Sequence, residues 1–260
     1  GIIRVSLPEG HPDITMHLNN LALFYIGQNK PKEAEPLYIE ALRSRRKSLP
    51  EGHPHIGHSV LNLANFYGNQ NKPEEAEPLH IEAMGILRAS LPESHPNIAN
   101  SLNNFATFYC AQNKPEAAEP LFIEALNIRR SSLPEGHPDI AVSLNNLAIF
   151  YKDQYKAEEA EPLYIEALGI MRASLSEGHP DIATSLGNLA CFYNDQNKAE
   201  KAEPLYIEAL NIRRASFPEG HPDIASSLTN LACFYDDQNK AEEAEPLYIE
   251  ALKIRRTSLP

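Results

Sequence analysis

The sequence predicts an all-α solenoid of six helix-turn-helix repeats. Three observations lead to this prediction: a His-Pro dipeptide returns every 42 residues, each copy carries two stretches of helical periodicity, and 42% hydrophobic against 22% charged residues is an ordinary soluble composition. A strict period of this length is typical of proteins in which each unit packs mainly against its neighbours.

The repeat boundaries follow from the spacing of the His-Pro dipeptides. Six complete copies occupy residues 7–48, 49–90, 91–132, 133–174, 175–216 and 217–258. Residues 1–6 and 259–260 match pieces of flanking repeats, and the chain begins without Met. We therefore expect a single solenoid domain over residues 1–260, cut from or processed out of a longer protein.

The first helix of each repeat is predicted to begin at the proline of this dipeptide, which is Pro222 in the last repeat. Proline suits the first helical position because its missing N–H would have no partner there, and Asp223 adds favourable charge. The apolar residues that follow keep helical spacing; they are Ile224, Leu228, Leu231, Ala232 and Tyr235. The polar run DDQNK then predicts a turn.

The second helix follows this turn and again has one apolar face. That face is formed by Ala244, Leu247, Tyr248, Ala251 and Leu252. Glutamates at its start and Arg255 and Arg256 at its end complement the helix dipole. Pro246 lies inside this helix, and every other repeat has a proline at the same position. Because this position is close to the N-terminal end of the helix, we expect the proline to cause only a slight bend that all repeats share.

Six positions of each repeat carry a family resemblance. In the first repeat they are Leu21, Ala22, Tyr25, Ala34, Tyr38 and Ala41. This pattern resembles the tetratricopeptide repeat, and a 42-residue unit with HPDIA, NNLA and AEPLY resembles its kinesin light chain class. Phe105 replaces Leu, His80 and Phe122 replace Tyr, and Arg46 stands where the usual 34-residue unit ends in proline. The resemblance implies a right-handed superhelix whose concave face, lined by first helices, binds peptides.

Charge and motifs exclude several functional classes. The net charge of −12 argues against nucleic acid and anionic membrane surfaces as partners. No phosphate-binding, dinucleotide-binding, zinc-protease or Cys-x-x-Cys motif occurs, so we predict a non-enzymatic protein without a cofactor. Three cysteines are too few for a disulfide framework, which favours free thiols and a cytoplasmic location.

The repeated histidine is a candidate metal ligand that we reject. Ligands must converge within about 2 Å of one ion, whereas equivalent residues of stacked repeats lie about 10 Å apart. We therefore expect each histidine to fix the turn before its first helix. His55 and His58 share one helix face and could catch a metal weakly, but no third ligand is evident, so solvated histidines are the favoured interpretation.

One first-helix position is invariant, and the resemblance implies that it faces the groove. It is occupied by Asn20, Asn62, Asn104, Asn146, Asn188 and Asn230. Because Asn has a low propensity for helix interiors, its presence at this position in all six repeats needs an explanation. A carboxamide can both donate to and accept from a peptide backbone; alternatively, each Asn braces the neighbouring repeat. The remaining predicted peptide-binding residues are Asn19, Asn103, Asn145, Thr107, Ile149, Asp153, Asp195 and Asp237.

The variable groove positions predict the character of the ligand. Apolar residues such as Leu23 dominate early repeats, whereas Asp153, Asp195 and Asp237 appear in later ones. We therefore expect a basic and apolar ligand, unless the aspartates belong merely to a solvated turn. Lys152 is the only cation among these positions, which argues against a clamp for a peptide carboxylate.

Two functional hypotheses follow. The first is an interaction scaffold that binds an extended peptide or protein segment in the groove. The second is an architectural or self-associating array, such as the sensor arm of a signalling protein, which would use its ends. The apolar face of the last helix, which no further repeat covers, favours end-to-end association at high concentration.

Overall fold

A computed structural model describes residues 12–258, which contain twelve α-helices and no strand. The first helices of the repeats are α1 (Pro12–Gly27), α3 (Pro54–Asn69), α5 (Pro96–Ala111), α7 (Pro138–Asp153), α9 (Pro180–Asp195) and α11 (Pro222–Asp237). The second helices are α2 (Pro31–Ser48), α4 (Pro73–Ser90), α6 (Pro115–Ser132), α8 (Ala157–Ser174), α10 (Ala199–Ser216) and α12 (Ala241–Ser258). The predicted all-α repeat architecture is confirmed.

The repeated histidine is the N-cap of the first helix. The Nδ1 atom of His95 accepts the backbone N–H of Asn97 at 3.1 Å, and His137 accepts that of Asp139 at the same distance. His53, His179 and His221 do the same, whereas His11 lies outside the described residues. This contact satisfies a backbone donor that has no partner within the helix. The predicted turn-fixing role is therefore confirmed for the five described histidines.

The turn between the two helices requires a left-handed residue. Asn29, Asn71, Asn113, Asn197 and Asn239 occupy it with φ between 53° and 56°. Asn tolerates this region better than most residues with a side chain. In the fourth repeat the position holds Tyr155, with φ 59° and a side chain that is 96% exposed.

The chain divides into two compact units, Gly1–Ser132 and Leu133–Pro260, each containing three repeats. In both units some alanines have no exposed surface, such as Ala64 in the first and Ala190 in the second. The largest fully buried side chains include Leu102 in the first unit and Tyr164 and Phe192 in the second. The organisation of residues 1–260 as one solenoid domain stays a prediction.

A polar triad joins successive repeats within each unit. The Tyr67 hydroxyl donates to Glu35 of the preceding second helix at 2.9 Å, while Lys72 Nζ lies 3.7 Å from Glu35 and 5.2 Å from the Tyr67 ring centroid. Burial and the bond to Glu35 raise the pKa of Tyr67 to about 12. The same hydroxyl bond recurs in Tyr109–Glu77, Tyr193–Glu161 and Tyr235–Glu203.

A second repeated contact joins successive second helices. Arg88 pairs with both carboxylate oxygens of Glu124 at 2.7 and 2.8 Å, and Arg172 pairs likewise with Glu208. The side chains of these pairs are 44–49% exposed. Exposed ion pairs contribute little stability, so we interpret them as setting the register of neighbouring repeats.

Candidate functional site

The invariant Asn row lies partly open along the first helices. Asn62, Asn104, Asn146 and Asn188 are half-buried, whereas Asn20 and Asn230 are exposed. Within residues 12–258, no hydrogen bond joins the carboxamides of these four half-buried residues to another side chain or to the backbone. Each carboxamide therefore keeps its donors and its acceptor available.

In three repeats the residue immediately before the invariant Asn is also Asn, and these preceding residues have a different environment. Asn145 is 7% exposed and its Nδ2 donates to Ser185 Oγ, on the next first helix, at 3.1 Å. Asn103 is equally buried at 6%, and Asn19 is half-buried. Consecutive residues of a helix point about 100° apart, so Asn145 faces the neighbouring helix. Asn145 therefore braces two repeats.

A cavity of about 360 Å³ opens in the second unit between α9, α10 and α11. Four predicted site residues line it: Asn188, Asn230, Asp195 and Asp237. Sequence reasoning missed the second-helix residues that complete its wall, among them Tyr206 and Arg213. It also missed Cys191 and Cys233, which are both free thiols. Burial raises the pKa of the Cys191 thiol, so it is a neutral wall group.

The two aspartates of this cavity are partnered differently. Asp237 accepts a hydrogen bond from Asn194 Nδ2 at 2.8 Å. Asp195 accepts from Lys152 Nζ at 3.2 Å, and the same Nζ lies 3.4 Å from Asp153. Lys152 therefore offsets part of the acidity that the sequence predicts here, and Asp237 is the carboxylate of the cavity with no cation within 4 Å among described residues.

Arg213 is a second cation near the Asn row, in addition to Lys152, which was the only cation among the predicted groove positions. It reaches the same cavity as Asn188 and Asn230 from the second helix α10, which a search of first-helix positions could not reveal. Its Nη1 donates to the carbonyl of Asp223 at 3.2 Å and to Ser227 Oγ at 3.0 Å, and its Nη2 to Thr184 Oγ1 at 3.3 Å. Because these donors already have partners, Arg213 joins helices and does not form an open carboxylate clamp.

The first unit has a cavity at the equivalent place, with a volume of about 260 Å³. It includes the predicted residues Asn104 and Thr107, together with residues that sequence reasoning missed. Each of its lining residues lies three repeats before a lining residue of the other cavity; they are Asn65, Gly68, Asn69, His80, Asn104, Thr107, Phe108 and Ala111. Two separate units therefore build a cavity at the same repeat position.

The remaining predicted site residues lie outside both cavities. Ile149 is half-buried, Asp153 is exposed, and Asn20 is exposed on α1. Thr107, by contrast, lines the first-unit cavity, and its hydroxyl donates to the backbone carbonyl of Asn103 at 2.9 Å.

The two histidines of α3 that break the repeat pattern, His55 and His58, lie near each other and near the following first helix. His58 Nε2 lies 3.0 Å from Asn97 Nδ2, and the ring centroids of His55 and His58 are 6.2 Å apart. Burial lowers the pKa of both His55 and His58. Among residues 12–258, no group of three His, Cys, Asp or Glu side chains could hold a metal ion, and no helix is long and apolar enough to cross a membrane.

Large apolar side chains are exposed on the terminal helices. Leu23 and Phe24 of α1 are 60% and 59% exposed, and Ile249 and Leu252 of α12 are 60% and 50% exposed. On α12, Ala244 and Ala251 are buried, so only part of the predicted apolar face is open.

Comparison with known proteins agrees with this architecture. Tetratricopeptide repeat models match residues 15–55, 55–131, 139–215 and 192–257. No curated protein matches the chain. Among solved structures, BtubC (BKLC) from P. vanneervenii is 24% identical over 86% of this chain and 89% of its own, with a TM-score of 0.69.

Two further structures are similar. A putative kinesin light chain from Podosopora anserina with nearly identical TPR-like repeats is 25% identical over 80% of this chain and 99% of its own, with a TM-score of 0.65. The apo quorum sensor NprR from B. thuringiensis is 16% identical over 93% of this chain and 65% of its own, with a TM-score of 0.68. The chain belongs to the tetratricopeptide repeat family, and its repeats are of the kinesin light chain-like class.

Proposed function

We propose that this protein is a non-enzymatic, cytoplasmic interaction scaffold that binds an extended segment of another protein along its first helices. The observation that carries the proposal is the set of half-buried carboxamides of Asn62, Asn104, Asn146 and Asn188, which have no hydrogen-bond partner among the described residues. A polar group that is half removed from water is stabilised when a ligand supplies the missing bond.

The position of these carboxamides also favours a backbone ligand. Asn104 and Asn188 each line a cavity, and the two cavities occupy the same place in the repeat. A carboxamide can donate to a peptide carbonyl and accept from a peptide N–H, whatever the side chains of that peptide are. Repetition of the group along the helices therefore suits an extended chain better than a compact small molecule.

The charge of the second-unit cavity favours a basic side chain in the ligand. Among the described residues Asp237 is hydrogen-bonded only to the Asn194 amide, so a Lys or Arg side chain can pair with it at low desolvation cost. The exposed apolar residues Leu23 and Phe24 of α1 favour an apolar segment in the ligand as well. An acidic ligand would meet like charge at Asp237.

The fold and the comparisons support the scaffold without naming its ligand. The tetratricopeptide repeat fold is typically a non-enzymatic scaffold. NprR, whose structure is similar, is described as a quorum sensor. The net charge of −12 disfavours nucleic acid and anionic membranes as partners here.

The test is a peptide-array selection followed by affinity measurements on the double variant Asn104→Ala, Asn146→Ala. We expect the variant to keep its helical circular dichroism and melting temperature while losing affinity about fivefold or more, since each lost hydrogen bond contributes roughly 0.5–1.5 kcal/mol. The matched control is Asn127→Ala, Asn211→Ala, which makes the same change at exposed positions of the second helices α6 and α10.

Two results would contradict the groove assignment. The first is a double variant that unfolds readily while each folded molecule binds normally, which would make the row a brace. The second is an equal loss of affinity in the control variant, which would place the ligand elsewhere.

A second candidate function is self-association through the terminal helices. The exposed apolar residues Phe24 of α1 and Ile249 of α12 favour it, because apolar surface of this kind often marks an interface. Light scattering over a range of concentrations up to the millimolar tests it. A mass that stays at one chain throughout rules it out, whereas growth that Phe24→Glu abolishes supports it.

A further inference from the structure

His80 is an exception among the repeats. The equivalent position holds Tyr38, Phe122, Tyr164, Tyr206 or Tyr248 elsewhere. The His80 side chain is 1% exposed, and its ring stacks on Phe105 with a centroid distance of 5.0 Å and an interplanar angle of 7°. Phe105 is itself the one aromatic residue at a position that is Leu in the other five repeats. These two residues, each unique at its repeat position, therefore contact each other.

The imidazole of His80 has unsatisfied hydrogen-bonding capacity. Its Nδ1 is fully buried with no partner, and no hydrogen bond of this ring is found within residues 12–258. Burial lowers the pKa of His80 to about 4, so the ring is neutral near pH 7 and has one donor and one acceptor nitrogen. Buried polar groups in folded proteins nearly always have partners, and leaving one unpaired destabilises the fold. A phenyl ring would avoid this penalty, and Phe122 occupies the equivalent position of the third repeat while 3% exposed.

The ring lies in the wall of the first-unit cavity, and its neighbours there are uncharged hydrogen-bonding groups. Asn65, Asn69, Asn104 and Thr107 line the same space, together with Phe108. Its volume of about 260 Å³ far exceeds the roughly 30 Å³ that one water occupies in the liquid. The cavity can therefore admit a side chain of moderate size.

Comparison with the equivalent cavity of the second unit defines what this one excludes. Asn69 stands where the second unit has Asp195, and Ala111 where it has Asp237. Among the residues that the structure describes, no charged side chain lines the first-unit cavity. A Lys, Arg, Asp or Glu side chain entering it would lose hydration without gaining a counter-ion, whereas a purely apolar side chain would leave the imidazole and amides unpaired.

We propose that the cavity around His80 is a side-chain subsite that selects an uncharged hydroxyl or carboxamide residue, Ser, Thr, Asn or Gln, of the bound segment, with His80 as its specificity-determining residue. This proposal rests on the proposed peptide-binding function. It adds that the first unit recognises an uncharged polar residue at a place where the second unit presents carboxylates.

The test uses peptides selected on the wild-type chain from a random dodecamer library. Each Ser, Thr, Asn or Gln of a selected peptide is replaced by the residue of closest shape, such as Thr by Val or Asn by Leu, and affinities are measured by fluorescence polarisation. We expect one such replacement to weaken binding to the wild type at least about fivefold, and to leave binding to His80→Phe nearly unchanged, because that variant has no imidazole to satisfy.

The controls separate the subsite from the scaffold. His80→Phe introduces the residue that the third repeat already has at this position, so we expect it to fold, as circular dichroism will verify. Asn127→Ala should keep the wild-type response to every peptide replacement. His80→Gln, which retains a donor and an acceptor, should restore part of the fivefold difference.

Three results overturn the proposal, and they are distinguishable. If no polar-to-apolar replacement weakens binding to the wild type, the cavity is only a hydrated void. If a replacement weakens binding equally in wild type and His80→Phe, the polar residue binds elsewhere, although the scaffold function stands. If the library yields no peptide that the Asn104→Ala, Asn146→Ala variant loses, the groove function itself fails, and the subsite fails with it.

Discussion

Replacing Tyr155 with Asn should stabilise the protein. Tyr155 adopts φ 59° at the turn between α7 and α8, and the five equivalent described positions hold Asn with nearly the same φ. A left-handed conformation costs ordinary L-residues roughly 1–2 kcal/mol, and Asn is several-fold enriched there. Tyr155 offers no compensation within residues 12–258, because its side chain is 96% exposed there and makes no hydrogen bond; its backbone N–H donates to the carbonyl of Lys152 at 3.0 Å.

The expected gain is therefore about 0.5–1 kcal/mol in the free energy of unfolding, which corresponds to about 2–4 °C in melting temperature at most for a chain of this size. Urea titration of wild type and Tyr155→Asn measures it, with an unchanged denaturant slope as the sign that only stability has moved. The reverse change, Asn197→Tyr, places the same side chain at the same turn of the next repeat and should cost a similar amount.

Three results bear on this reasoning. A gain in Tyr155→Asn with a matching loss in Asn197→Tyr supports the backbone account. A neutral or destabilised Tyr155→Asn would mean that Tyr155 makes a stabilising contact and would refute it. A loss in both variants would show that tyrosine and asparagine act here through side-chain contacts and not through φ.

Further predictions concern packing, pH and ligand charge. Ala190→Leu should overpack a site with no exposed surface and cost about 1–3 kcal/mol, with hydrogen exchange accelerated mainly in the fifth repeat and its neighbours; uniform acceleration would argue against a solenoid. The pKa of His80 is about 6.5 in the unfolded chain and about 4 in the folded protein, so the unfolded chain binds the proton more readily. The free energy of unfolding is therefore highest, with respect to this group, above pH 6.5 and decreases as the pH falls toward 4, by up to about 3 kcal/mol. The difference between wild type and His80→Phe in urea titrations at several pH values isolates this effect, and a constant difference would contradict it. Finally, affinity for a selected peptide should weaken with salt, because exposed charges are screened beyond about 8–10 Å; selection of acidic peptides, or affinity independent of salt, would refute the predicted basic ligand.

Adjacent residues of one helix illustrate how far the candidate site could be predicted. Asn145 and Asn146 are the same residue type one position apart, and both were assigned to peptide binding from the sequence. In the structure Asn145 is buried against Ser185, whereas Asn146 is half-buried without a partner. Helical geometry separates their directions by about 100°, but only the placement of the neighbouring helix shows which direction is covered.

His80 illustrates a second kind of limit. Its departure from the Tyr or Phe of other repeats is visible in the sequence, but its unsatisfied Nδ1 and its place in a cavity wall are not. Arg213 is similar, since a second-helix residue enters the wall of a cavity between two first helices. For both residues the deciding feature is a contact between different helices, which the spacing of residues within one helix does not reveal.

The sequence by itself determined the period, the helix starts at proline, the capping histidines and the all-α class. These features depend on interactions between residues a few positions apart, which a strict repeat copies six times. Only the tertiary structure decided which amides stay unpaired, which cavity aspartate pairs with Lys152, and where cavities open between helices. Those outcomes depend on which side chains of successive repeats face each other, and that is set by how the helices stack and not by the spacing of residues within one helix.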